Sequence, residues 1–322
     1  MPFTRALLAL IVIVAIGLIF NADGSFFKWG THRDMLRHTS RFGILACGMT
    51  IVIITGGIDL SVGSVLGLTA VIFSMLTIHW AWSAWAAVPL CMLAGAACGG
   101  VSGGLIARFK IQPFIATLAM MVFARGLAKF ITGGEKVTTM VQVVLENGTT
   151  DFIFKDLPPS FDRLNAAVLN DNLAVVTIVF LACLLVSWVV LARLRPGRYV
   201  YAIGGNEEAA RLSGVPVALT KLLAYGMCGM FSAVAGICQA AQETQGDPEA
   251  GVTYELSAIA IVVIGGTNLM GGRGSVLLTL LGTLTIGYLD KILSINAVSE
   301  ANRLMLTGAI IVGAVLLQRS KR

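Results

Sequence analysis

Ten predominantly apolar stretches divide the 322-residue chain, near residues 5–20, 42–58, 62–79, 84–106, 113–131, 172–192, 220–241, 255–270, 275–292 and 303–318. Each approaches the length a helix needs to cross about 30 Å of hydrocarbon, at about 1.5 Å of rise per residue. In hydrocarbon every backbone polar group must be satisfied within protein, so runs of this kind are read as helices. Composition agrees: 57% of residues are hydrophobic and 12% charged, against roughly one quarter charged in a soluble domain. The expected fold is an all-α polytopic integral membrane protein of about ten transmembrane helices, with glycine-rich broken or re-entrant segments, forming one transmembrane domain over residues 1–322.

The first stretch, ALLALIVIVAIGLIF after Arg5, has the length of a signal-peptide core. No A-x-A cleavage site follows in NADGSFF, so it is taken as a retained span. An even number of spans puts both termini on one side, and the QRSKR tail assigns that side to the cytoplasm. Under this topology the cytoplasmic side carries twelve Lys and Arg against Asp59, Glu207 and Glu208, a net +9. The outer side carries ten against fourteen acids, a net −4, and Arg125 lies inside the fifth span. The outer basic residues sit mostly in the longer loops 21–41 and 132–171, which cross regardless of charge; a third outer loop covers 242–254. Between Asn21 and Arg41, Lys28, Arg33, Arg37 and Arg41 recur at helical spacing, which fits either a helix lying on the outer surface or a solvated lead-in to the second span.

Several chemistries are excluded or left without support. The six cysteines lie in apolar stretches without a CxxC pair, and the three histidines lack HExxH spacing. Neither a metal centre nor a disulfide framework is expected. Asn147 opens an N-x-T sequon, relevant only in a glycosylating secretory pathway. GxxxxGK[ST] is absent, and TGGEKVTT at 132–139 has the wrong spacing to cradle phosphate, so the chain is not expected to hydrolyse ATP itself. No G-x-S-x-G elbow occurs, which leaves transport or channel function as the default.

Three glycine-rich features stand out. Gly95, Gly99 and Gly103, with Gly100 and Gly104 offset by one, give small-xxx-small patterns in the fourth span that permit close helix approach, within the subunit or between subunits. Residues 193–221 form the longest basic cytoplasmic segment. There Pro196 and Gly197 end a span, and Gly204-Gly205-Asn206 makes a turn before Glu207 and Glu208, a good helix start that Gly214 and Pro216 terminate. Such a helix is either an ordinary loop helix or a docking element for a soluble partner.

The third feature is a pair. Gly56-Gly57-Ile58-Asp59-Leu60 matches Gly265-Gly266-Thr267-Asn268-Leu269, and after two extra residues Gly63-Ser64-Val65-Leu66 matches Gly274-Ser275-Val276-Leu277. Six spans separate the two segments, so both should face the same side. Asp59 either helps cap the third span, with Ser61, or lines a solute path or gate together with Gly56, Gly57, Ser61 and Asn268; both roles can hold at once.

GGIDLSVGS at 56–64, KIQPFIATLAMM at 110–121, GRYVYAIGGNEEAARLSGV at 197–215 and YELSAIAIVVIGGTNLMGGRGSV at 254–276 together resemble the ribose-type permeases of bacterial ATP-binding-cassette sugar importers. That family shares its broad fold with branched-chain amino-acid permeases. The likeness runs from about residue 35 to the C-terminus. It departs where Leu278 and Thr279 follow GRGSVL in place of the Gly-Thr often found in the family, and ETQGDPEAGVTYEL matches only loosely.

The resemblance implies a permease that pairs with an identical or sister permease, a cytoplasmic ATPase holding ATP and Mg, and a periplasmic solute-binding protein, with no cofactor on this chain and no nucleic acid. It also implies that the loop between the sixth and seventh spans contacts the ATPase, through Arg198, Gly204, Gly205, Asn206, Glu207, Arg211 and Gly214. The solute expected is a monosaccharide; a nucleoside, an amino acid or a sugar-like signal is the alternative. A secondary transporter would need more intramembrane ionisable groups than Arg125 and Asp59, and a membrane enzyme would need a polar catalytic cluster.

Overall fold

The computed structural model of the chain describes residues 2–144 and 150–319; the Asn147 sequon and the last three residues of the basic tail lie outside the described residues. The elements are helical throughout the apolar stretches: α1 (Pro2–Ile19), α2 (Trp29–Ile54), α3 (Val62–Ser74) continued by a π-helical turn (Met75–His79), α4 (Ala84–Phe109) and α5 (Pro113–Thr132). After a hairpin of β1 (Met140–Val144) and β2 (Thr150–Phe154) come α6 (Pro159–Asn165) and a two-residue pairing of β3 (Ala167–Val168) with β4 (Leu173–Ala174). Then follow α7 (Val175–Ala192), α8 (Arg195–Gly205), α9 (Glu207–Leu212), α10 (Val217–Glu243), α11 (Tyr254–Gly265), α12 (Val276–Ile295) and α13 (Glu300–Arg319).

Every expected span falls on a helix. Among the described residues, six helices are long and apolar enough to cross a membrane by length and composition, while α1 and α11 are apolar but shorter. The eighth span was expected to reach residue 270, yet α11 stops at Gly265, because Gly266 takes φ +101° and turns the chain out of the helix.

α10 is the central post, packed on α2, α3 and α4. Its contact with α4 explains the small-residue stripe. A Cβ on Gly95 would stand 2.3 Å from the Gly229 carbonyl oxygen, and one on Gly99 would stand 2.0 Å from that of Tyr225. The backbones touch where side chains are missing, so the stripe serves packing within the subunit. Gly100 and Gly104, one position round the helix, face open space. The core lies between these helices, with Ile44, Leu45, Met49, Leu66 and Tyr225 buried.

Residues 21–41 do not form a separate surface helix. A 3-10 turn at Ser25–Phe27 leads into α2, which starts at Trp29 and runs unbroken into the second span. The periodic basic residues grip neighbouring elements instead: Arg33 pairs with Asp171 at 2.7 Å, Arg37 donates to the Asn165 side chain, and buried Arg41 donates to Gln239 on α10. Phe161 of α6 stacks on Phe73 of α3 with ring centroids 5.3 Å apart. Residues 21–37, 132–144, 150–174 and 243–247 therefore gather at one end of the bundle, opposite α8 and α9.

Candidate functional site

The first glycine-rich break begins where α2 ends. Gly56 takes φ +83°, and the amides of Gly56 and Gly57 bond back to Ile53 and Val52. The chain then climbs to Asp59, which is fully buried. Its Oδ1 accepts from the Ser61 amide at 2.9 Å and from the Ser61 hydroxyl at 2.6 Å, one residue before α3 starts. Ser61 thus stands at the N-cap but spends its hydroxyl on Asp59, and the carboxylate shapes the turn into α3.

The second break repeats this device. Asn268 Oδ1 accepts from the Met270 amide at 3.1 Å, two residues on, as Asp59 does from Ser61. Its Nδ2 also donates to the Gly271 carbonyl at 3.2 Å, a bond a carboxylate could not make. The two-residue offset in the match has a structural counterpart: Ser275 caps α12 by accepting from the Leu278 amide, whereas its partner Ser64 lies inside α3. Asp59 is enclosed among protein, while Asn268 is half-buried and Gly56 exposed.

The two breaks meet, and the loop between α7 and α10 meets both. The Gly272 amide donates to the Ile54 carbonyl at 2.9 Å, joining the second break to the end of α2. The Tyr201 hydroxyl of α8 donates to the Gly274 carbonyl at 2.9 Å. Gly204, at the end of α8, is wedged so closely that a Cβ there would stand 1.8 Å from the Ile54 oxygen and 2.4 Å from the Gly272 nitrogen. Three backbone segments, remote in sequence, converge on one point.

From that point the loop turns outward. Gly205 faces open space. Asn206 caps α9, its Oδ1 accepting from the Ala209 amide at 3.0 Å, and Gly214 ends the loop helix at φ +81°. Glu207 is tied to Lys221 of α10 at 2.7 Å, and Glu208 to Arg211 at 2.5 Å. The hydrogen bond from Arg211 holds the Glu208 carboxyl below its ordinary pKa. Arg198 is exposed on α8. A cleft of about 790 Å³ opens beside α9, bounded by Lys110, Gln112 and Pro113 of the α4–α5 connection and by Glu207, Arg211 and Lys221.

Sequence reasoning placed one helix here and the structure has two. α8 was missed because Pro196 and Gly197 were taken as the end of a span, although proline in a first turn begins a helix as readily. Val200 and Ile203, three apart and both buried, were the available signal. Also missed were two exposed apolar side chains at this end, Leu212 (79% exposed) and Met270 (75% exposed). Among the described residues no group of three His, Cys, Asp or Glu is placed to hold a metal.

The comparisons with known proteins agree with this architecture. The family model described as branched-chain amino acid transport system / permease component matches residues 33–315. The chain is 40% identical over 319 residues to the ribose import permease protein of Escherichia coli (strain K12), covering 99% of this chain and 94% of that one. It is 37% identical to the ribose import permease protein of Bacillus subtilis (strain 168), covering 98% and 92%. It is 34% identical to the fructose import permease protein of Rhizobium meliloti, covering 99% and 85%. No solved structure matches. With ten apolar stretches folded as helices and the match spanning nearly the whole chain, the protein belongs to this family of membrane permeases, among its ribose-type sugar permeases.

Proposed function

We propose that the chain is the transmembrane permease subunit of an ATP-driven importer that carries a monosaccharide across the bacterial inner membrane. It receives the sugar from a periplasmic binding protein and works beside a second permease, identical or sister. A separate cytoplasmic ATPase binds ATP and Mg and drives the cycle. Both termini and the α8–α9 end lie in the cytoplasm in this reading, and the end bearing α6 faces the periplasm. Similarity to ribose and fructose import permeases supports the substrate class.

The observation that carries the reading is the convergence at Gly204. Helix α8 touches both glycine-rich breaks and α9 continues it outward at the aqueous end of the bundle, so a push on the pair bears on the starts of α3 and α12 through α8. Exposed Leu212 and Met270 at that end suit a protein partner better than water. Arg198, Gly205, Glu207 and Arg211 supply the polar part of the same surface. ATP binding closes the ATPase dimer, the loop helices follow, and the breaks relay the motion to the spans. Import then needs only that the two permease states contact the sugar differently.

Gly205→Arg and Glu207→Lys test this. Gly205 has room outward and Glu207 is half exposed, so the bundle should insert and fold. In vesicles with the ATPase and binding protein, stimulation of ATP hydrolysis by loaded binding protein should fall to the basal rate. Wild-type stimulation in both variants would remove the loop from the coupling route.

A further inference from the structure

The segment between α10 and α11 does not stay at the surface. Gly246 bridges to Val137 and packs on Ser74, near the outer end of α3. Five residues later Gly251 packs on Gly63, at the other end of that helix, where a Cβ on Gly63 would stand 2.1 Å from the Gly251 oxygen. Eleven helical residues separate Ser74 from Gly63, about 16 Å. Between them the Pro248 and Ala250 carbonyls lie against Gly67, so residues 246–251 descend along α3 as non-helical chain with a turn closed by the Ala250 amide on the Asp247 carbonyl, and α11 completes the crossing as a helix of 12 residues.

Arg125 of α5 fixes the descent. Its Nη1 donates to the Pro248 carbonyl and, at 2.8 Å, to that of Ala250. Seven residues from the end of α5 at Thr132, the guanidinium lies about 10 Å below that end. Lys129, one turn higher, pairs with Glu249 at 2.5 Å, and Lys136 pairs with Asp247 at 3.0 Å.

One side of this segment is buried against α3. The other exposes Glu249, Val252 and Thr253. Among the described residues, the amides of Gly251, Val252 and Thr253 have no acceptor. Irregular backbone at membrane depth persists only where protein covers it or water reaches it, since an unpaired amide facing lipid costs several kcal/mol.

We propose that the exposed side of residues 249–253 lines the aqueous path of the solute. The amides of Gly251 to Thr253 and the Thr253 hydroxyl offer hydrogen bonds to a neutral polyhydroxyl compound, and the Lys129–Glu249 pair stands above them. Arg125 is a positioning residue that holds the strip in place. The inference rests on the import reading for the nature of the solute, and on geometry alone for the wetness of the strip.

The test is thiol labelling of the intact chain in membrane vesicles with a membrane-impermeant methanethiosulfonate bearing a quaternary ammonium. V252C and T253C are compared with L185C, whose position on α7 is exposed on an apolar helix face, and with wild type for the background of its native cysteines. Both strip variants should react at least about tenfold faster than L185C, because reaction needs a hydrated thiolate. Their modification should also abolish sugar uptake. Reaction of both at the L185C rate would overturn the proposal, whether lipid or a second copy of the chain covers the strip. Labelling requires neither the ATPase nor the sugar, so that failure leaves the import reading standing. Absence of ATP-dependent uptake by the unmodified wild-type complex would strike the import reading instead.

Discussion

Gly204→Ala probes the convergence point with a single methyl group. Its Cβ would stand 1.8 Å from the Ile54 carbonyl oxygen, where a carbon–oxygen contact needs about 3.3 Å. The end of α8 must then retreat by about 1.5 Å. Neither neighbour is a flexible side chain: one is the carbonyl ending α2 and the other the amide of Gly272, already bonded to each other at 2.9 Å. Overpacking of this kind costs about 1–3 kcal/mol, and loss of the Gly272–Ile54 hydrogen bond adds about 1 kcal/mol. The sum is as large as the coupling energies of about 1–3 kcal/mol that link distant sites. Gly204→Ala should therefore lower the melting temperature of the purified permease and reduce stimulated ATP hydrolysis by tenfold or more, about 1.4 kcal/mol per factor of ten.

Gly205→Ala is the matched control. The adjacent glycine has nothing of this chain within 4 Å of its Cβ position, so an alanine there should leave the melting temperature unchanged. Equal behaviour of the two variants, in both assays, would refute the convergence as the route between loop and spans.

The same contrast applies at the α4–α10 contact. Gly99→Ala places a methyl 2.0 Å from the Tyr225 oxygen and should cost about 1–3 kcal/mol by thermal melting, while Gly100→Ala, facing open space, should cost nothing measurable. At the first break, Asp59→Asn retains an oxygen to accept from Ser61 and should keep both stability and uptake. Asp59→Ala loses the amide and hydroxyl bonds together and should destabilise by about 2 kcal/mol. Abolished uptake in a stable Asp59→Asn variant would show that the charge itself is required.

Much of this was readable before any coordinates because the signals were local. Apolar length marked the helices, and Asn206 ahead of two glutamates marked the start of α9. The glycine pairs at 56–57 and 265–266 marked the two breaks but not the last helical residue, since α2 stops at Ile54 and α11 at Gly265, short of the expected 58 and 270. What stayed hidden depends on partners far along the chain. Nothing near Gly204 reveals that Ile54 and Gly272 will press on it, and the basic residues of α2 resembled a surface stripe until Asp171, Asn165 and Gln239 were found opposite them. The segment 246–251 was hardest to read. Its acids and proline suit a surface loop, and only the small residues facing it on α3, with Arg125 inside an apolar helix, allow it to run inward.

Asp59 and Arg125 then have related explanations. Each is an ionisable group in an apolar chain, and each holds backbone in a non-helical path: Asp59 by accepting from the Ser61 amide, Arg125 by donating to the carbonyls of residues 248 and 250. Non-helical backbone leaves polar groups that helices would have paired, and these side chains satisfy them. The Asn268 break achieves the same turn with a neutral amide where its surroundings are partly exposed. Asp59, Asn268 and Arg125 thus mark where the helices of this chain are interrupted, and their shared requirement is hydrogen bonding to irregular backbone.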